Sequence, residues 1–353
     1  MNLDLRDIFF GLDSSRLERC FAPGMTCEAD AIRAHSIQNA RQLDLLVEDG
    51  HVVQLTRRFE DGEPVIDFGP VGRNRATTFT GLCSDHDREL FLEIDNDVVE
   101  VSNDWHLFLL AYRGALRETH AVCEAAAKIQ AAYRARVDAG LDPGDQPSPA
   151  GMFAVERMVV AWETHCYKET LDEAFLRRDP SVLEHDVIEL GVARPSVAAS
   201  ALFSLDGVEK AGQTLMVTLT ILPLGSSRTV AVFSYLTSHA EVARLRLAHV
   251  LRATGAHRMY EISRQLLNSC ENFVLSPSFV DGWSTEKKDT VLNYWVRTLM
   301  KDDLDTQDRD LMLFATPHRR CGRHRHLTVG CRLRSLTLTS VNHGPERAGV
   351  PEQ

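Results

Sequence analysis

The sequence predicts an α+β protein, with helical and extended segments in separate runs rather than in strand–helix–strand alternation. Three observations carry that expectation. Two long stretches with apolar residues at helical spacing stand together, about residues 104–139 and 151–178. Four segments rich in β-branched and apolar residues follow, at 187–190, 197–205, 215–224 and 229–236. Far upstream, two more extended segments, 52–55 and 65–68, flank the turn residues Glu60-Asp61-Gly62.

The chain begins with a short amphipathic stretch, Leu5, Ile8, Phe9 and Leu12 at near-helical spacing. A Pro23-Gly24 turn then separates Cys20 from Cys27, a knuckle suited to aiming two thiolates at one point. Residues 28–49 read as helical or mixed, up to the turn signal Asp49-Gly50. After the hairpin, Gly69-Pro70 and Gly72 interrupt the chain, and Cys83 opens a short helix, about 84–93. The stripe Trp105, Phe108, Leu109, Tyr112, Leu116, Val122, Ile129, Tyr133, Val137 makes the first long helix, with Asn103 or Asp104 as its cap. A Pro- and Gly-rich loop, 142–149, precedes the second, which stops at Asp179-Pro180. Together they read as an antiparallel helical hairpin.

Turn clusters at Asp206-Gly207 and Gly225-Ser226-Ser227 make the last three extended segments an antiparallel meander. Ser238 and Glu241 fit a capping box that opens a helix to about Arg252. Further helices are expected at about 257–270 and 285–300, the latter capped by Ser284. The last forty residues, rich in Arg, Gly, Pro and His, read as irregular. The expected organisation is a module at 1–100, a helical arm at 101–180, a sheet with helices at 181–315, and a basic tail at 316–353.

Composition narrows the class. With 353 residues, 44% hydrophobic and 25% charged, the chain has ample material for a core. No run approaches the ~18 apolar residues of a membrane span. The opening residues lack a basic-then-apolar signal pattern, so a cytoplasmic location without membrane contact is the expectation. Eight cysteines in such a chain point to free or metal-bound thiols rather than to a disulfide framework. A net charge of −11 argues against global attraction to nucleic acid. Locally, however, residues 317–334 carry six arginines, three histidines and no acid, suited to phosphate contacts. No glycine-rich phosphate loop is present, so no nucleotide cofactor is expected.

The densest metal chemistry lies between Cys20 and Phe91: Cys20-x6-Cys27, then Ala34-His35-Ser36-Ile37, then Cys83-x2-His86-Asp87. This pattern, over about residues 18–95, resembles the zinc-containing branch of the HNH, or His-Me finger, endonucleases. The resemblance implies a zinc-stapled ββα-like module ahead of a mixed helical and antiparallel-sheet domain. It implies a structural zinc held by Cys20, Cys27, Cys83 and His86, with histidine where the second pair usually has cysteine. It further implies His35 as general base and a catalytic Mg²⁺ or Mn²⁺ held from the helix, at the position of Asp87, with Asp85 or Glu89 also able to supply oxygen. The 47 or so residues between His35 and Cys83 exceed what a compact finger needs, and no asparagine or histidine follows on the helix at the family's offset, although Asn74 lies upstream. The chemistry is separable: three thiolates and an imidazole suit zinc, a histidine suits proton abstraction at neutral pH, and a carboxylate suits a hard cation.

Other groupings read as structural. His165-Cys166, with Glu163 and Glu169, lacks a His-Glu-x-x-His pattern and suits a core cysteine beside a solvated acidic face. Cys123 and Cys270 fall in helical patterns and read as core. Cys321, His324, His326 and Cys331 form a looser second set, read as part of the tail. The expected function is metal-dependent hydrolysis of a nucleic-acid phosphodiester. The alternative is a non-catalytic, zinc-stabilised binding or scaffold protein, with a protein partner or a second copy. What separates the two is His35: a base needs an exposed, unliganded imidazole facing a carboxylate, and a His35 that is buried or ligates the zinc fails the enzyme reading.

Overall fold

The computed structural model describes residues 16–38, 40–60, 63–210, 213–299 and 309–316. All of them belong to one compact unit, Met1–Pro317. The amphipathic stretch around Leu5 to Leu12 and the basic tail with Cys321, His324, His326 and Cys331 lie outside the described residues.

The fold mixes helices with two antiparallel sheets, and so is α+β. The small sheet pairs β1 (Ala31–His35) with β4 (Thr78–Cys83), in a register that sets Ala31 opposite Cys83 and His35 opposite Thr78. β4 runs without a loop into helix α1 (Ser84–Asn96). The segment expected to be helical or mixed, 28–49, holds β1 and only a single 3₁₀ turn, Leu43–Leu45. β1 is five residues long and buries only Ala34 fully, too little to leave a period in the sequence.

Between β1 and β4 the chain makes the hairpin β2 (His51–Glu60) and β3 (Glu63–Gly72). This hairpin joins the larger, seven-stranded sheet. Helices α2 (Asp104–Asp138) and α3 (Pro149–Arg177) follow, then β5 (Leu183–Gly191), β6 (Val197–Lys210), β7 (Gln213–Gly225) and β8 (Arg228–Leu236). After them come α4 (Ala240–Arg246), α5 (Ala248–Leu251), α6 (Gly255–Ser269), β9 (Phe273–Leu275), α7 (Pro277–Asp281) and α8 (Thr285–Leu299). Strand order is β3-β2-β9-β6-β7-β8-β5, and β6, β7 and β8 form the expected meander. The three-residue β9, which carries no pattern of its own, is the bridge: Leu275 pairs with both Val53 and Val197. The helix expected from Ala240 to about Arg252 turns at the fully buried Leu247 and becomes two short helices.

Alternation divides the sheet into two faces. On β7, Leu215, Val217, Leu219 and Ile221 enter a core closed by α6 and α8 through Ile262, Leu266, Val291 and Trp295. Met216 and Leu222 enter the opposite core, closed by Phe108, Tyr112 and Leu116 of α2. Eight of nine β8 residues are buried, so this strand reads as a continuous apolar run.

α2 starts where Asn103 Oδ1 accepts hydrogen bonds from the amides of Trp105 (3.0 Å) and His106 (3.4 Å). α2 and α3 pack antiparallel. Tyr112 donates to Asp172 at 2.6 Å, the buried Lys168 ammonium lies 2.5 Å from Asp172, and Gln130 donates to the Ala154 carbonyl at 2.9 Å. The second core also contains Phe21, Phe79, Leu82 and Phe91, so the small ββα unit packs against α2.

Candidate metal centre and the site beside it

Local structure brings the four expected ligands to one point. Cys20 and Cys27 flank a 3₁₀ turn, Pro23–Met25, in which Gly24 (φ 76°) and Met25 (φ 51°) adopt the left-handed region. The Phe21 amide donates to the Gly81 carbonyl at 2.8 Å and ties this knuckle to β4. Cys83 caps α1, and His86 stands in its first turn. Cys20 Sγ lies 3.4 Å from His86 Nδ1, Cys83 Sγ 3.2 Å from the same nitrogen, and Cys27 Sγ 3.9 Å from Cys83 Sγ. All four donor atoms fall within 4.8 Å of one another.

These separations fit a metal. Bonds of about 2.3 Å to sulfur and about 2.0 Å to nitrogen put tetrahedral ligands about 3.8 Å (S–S) and about 3.5 Å (S–N) apart. A disulfide needs sulfurs about 2 Å apart, and the three cysteines are free thiols. The Cys₃His group can therefore hold a metal ion. Burial pushes the Cys20 thiol up to about 11. Burial acts on Cys83 in the same sense, but the amides of His86 and Asp85 and the Cys27 and Cys20 thiols stabilise its thiolate and hold it below the ordinary range.

His35 is not part of this group. It ends β1, half-buried, with the Ala76 carbonyl hydrogen-bonded to its ring. Its Nδ1 is screened from solvent and has no partner. Burial pushes its pKa below the ordinary histidine value, so the ring is neutral at pH 7. Asp87, one residue past the ligand His86, is half-buried and forms no hydrogen bond or ion pair with the other described residues. Burial pushes its carboxyl upward, while the Arg113 charge pulls it down. Arg113 and Asp95 act electrostatically on both His35 and Asp87, which places the two in one neighbourhood.

Four contributors to this neighbourhood carry no sequence motif. Arg113 on α2 grips Asp95 on α1 through both nitrogens, at 2.9 and 2.6 Å, and lies 4.0 Å over the Phe91 ring. Gln38 donates to the Asp95 carbonyl at 2.7 Å. Thr77 holds a positive φ of 56°, an unusual conformation for a β-branched residue. Its Oγ1, Gln38 Oε1 and Arg113 Nε are buried without partners, like His35 Nδ1. One signal does exist for Arg113: it is the lone charge in the apolar run from Leu107 to Leu116.

A polar cleft of about 570 Å³ adjoins the site along β4 and α2. Arg16, Arg33, Arg75, Arg117 and Lys128 line it against two carboxylates, Glu124 and Glu271. Arg33 precedes His35 by two residues, and Thr78, also in the lining, pairs with it. Arg33 and Arg75 have no ionic partner among the described residues. His165 and Cys166 lie on α3, away from any metal cluster, with His165 3.4 Å from Glu169. Cys270 is buried in the core closed by α6 and α8, and Cys123 packs against the opposite core with α2, as expected. No helix among the described residues is long and apolar enough to cross a membrane. Set against protein-family models, curated proteins and solved structures, the chain matches none.

Proposed function

We propose that the chain is a metal-dependent, HNH-like endonuclease that hydrolyses a nucleic-acid phosphodiester. One juxtaposition carries this reading: a neutral imidazole with a free Nδ1, a partnerless carboxylate on the following helix, and a basic cleft beside them. The metal in the Cys₃His group is zinc, chosen by three thiolates and an imidazole in closed geometry, and its role is structural. It fixes the knuckle, the end of β4 and the first turn of α1, and thereby the spacing of His35 and Asp87.

In this reading the ring proton of His35 bonds the Ala76 carbonyl, and its Nδ1 lone pair takes the proton of the attacking water. Asp87 would hold a Mg²⁺ or Mn²⁺ ion, which supplies Lewis-acid stabilisation of charge on the phosphate. Arg33 and Arg75 bind flanking phosphates without reading sequence. The Arg113–Asp95 pair, fixed by Gln38, holds β1, α1 and α2 in register around the base.

The rival reading, a non-catalytic zinc-stabilised binding or scaffold protein, is favoured by one observation. Nδ1 of His35 has no contact with solvent, so substrate must open the site to use it. Cleavage of duplex DNA, single-stranded DNA and RNA, each with Mg²⁺ or Mn²⁺ at low salt, decides between them. His35→Ala should lower the rate by about 10²–10⁴-fold, with zinc content and melting unchanged. If the wild type cuts none of these substrates, or if His35→Ala cuts as fast, the catalytic assignment is wrong.

A further inference from the structure

The first half of α3 turns a broad apolar face outward, with Glu156, Arg157 and Glu163 beside it. Met152, Phe153, Val155, Met158, Val159 and Trp162 are each between 48% and 65% exposed, within eleven residues. Only Ala154 and Ala161 are fully covered, and Ala154 lies at the Gln130 contact with α2. The apolar face of a helix is ordinarily buried. At about 100 Å² each, these six side chains leave roughly 600 Å² of apolar surface on one chain, at the upper limit for a monomer. Five of them, all but Phe153, lie on one side of the helix, and two such faces pressed together bury about 1,000 Å², at the lower edge for a specific protein interface.

The root of the same face holds a cavity of about 180 Å³, lined by Trp162, Glu163, Cys166, Tyr167, Thr170 and Leu236, with Thr214 at its edge. Tyr167 is 6% exposed, yet its hydroxyl has no partner. A buried hydroxyl without a partner is unfavourable, so the site is built for something that covers and satisfies it. The cavity is smaller than the ~300 Å³ of small-molecule sites and suits a single side chain.

We propose that this face is where a second copy of the chain docks, α3 against α3 and antiparallel across a two-fold axis near residue 157. The observation that selects a second copy is self-complementarity. The projecting side chains, Met152 and Phe153, stand at the tip of the arm, and the cavity stands about ten residues away at its root, about 15 Å along the helix. A two-fold axis between them seats the tip of each arm on the root of the other, which an isologous interface requires. The start of the partner's α3, with its preceding loop, then lies over the cavity that Tyr167 lines. A lipid surface is disfavoured, because Glu156 and Glu163 flank the face where a membrane-binding helix carries Lys and Arg. The pairing is independent of the nuclease reading, since His35 lies on the ββα unit.

Sedimentation equilibrium on the full chain tests it. The wild type should be a dimer at micromolar concentration. Val159→Glu and Trp162→Glu together should raise the dissociation constant at least about 100-fold, with far-UV circular dichroism and melting of the monomer unchanged because both positions are exposed. Met152→Glu, at the opposite end, should also weaken association if the arms are antiparallel. A wild type that stays monomeric at about 50 μM, or a dimer indifferent to the double substitution, overturns the proposal. So does loss through Trp162 with no effect of Met152→Glu.

Discussion

The ββα unit and the seven-stranded sheet hold their shape by opposite means. In the sheet, order is spread over many interchangeable side chains: eight of the nine residues of β8 are buried, and β7 feeds a separate core from each face. Each such side chain contributes about 1.5–3 kcal/mol of burial, so no single position decides the outcome. In the ββα unit, β1 buries one residue of five, and four donor atoms within 4.8 Å bring the knuckle, the strand end and the helix start to a group that can hold a metal ion. Stability gathered at one point can be removed at one point.

Removing the metal should therefore give the largest effect and the most uneven one. Ion binding in small zinc modules is worth about 10 kcal/mol or more. Chelation, or Cys83→Ser, should release residues 18–96 to fast hydrogen exchange while β6, β7 and β8 stay protected. Equal loss of protection in both regions would show that the two are one cooperative unit, bound through the core that Phe21, Phe79 and Phe91 share with α2. Purified protein with no metal at all would remove the premise.

The contrast also explains what the sequence discloses. The metal ligands are legible because three thiolates and an imidazole at these spacings are rare, and the structure brings all four together. The meander is legible because its strands are rich in β-branched and apolar residues and turn clusters separate them. Neither signal exists for β9, three residues whose pairing with both Val53 and Val197 depends on segments far away in sequence. The same holds for Arg113 and Asp95. They meet because α1 crosses α2, a fact of packing that no local spacing records. The neighbourhood of His35 thus takes its histidine from a legible strand end and its electrostatics from illegible contacts.

A second prediction sharpens the comparison within the helical hairpin. There a single buried ionic group, Lys168 with Asp172 and Tyr112, interrupts an otherwise apolar contact. Lys168 is fully buried, so Asp172→Asn leaves its ammonium without a counter-charge, at a cost of about 3–5 kcal/mol. Thermal or denaturant melting should show that loss, and Lys168→Met combined with Asp172→Leu should recover most of it. If Asp172→Asn melts like the wild type, the pair is not a buried ion pair in solution, and this contact belongs with the sheet's distributed kind.

The smallest predicted effect concerns acid, and it separates the two regions by their histidines. His185 on β5 donates to or accepts from Ser234 at 2.8 Å through Nδ1, while its Nε2 is buried without a partner. Burial lowers its pKa to about 4, against 6.5 for an unperturbed histidine. The sign follows from proton binding. Between those values the unfolded chain holds a proton that the folded one refuses, so stability rises with pH across this window. The contribution is complete above about pH 6.5 and is lost as pH falls towards 4, at most about 3–4 kcal/mol in all. His185→Gln should flatten the pH dependence of the sheet's denaturant midpoint between pH 6.5 and 4. Hydrogen exchange in β1 and β4 should keep its own acid response in that variant, because protons there compete with the metal for Cys20, Cys27, Cys83 and His86. If the variant leaves the sheet's pH dependence as steep as before, His185 is not the group that titrates. If it flattens both regions together, the sheet and the metal-stapled unit unfold as one.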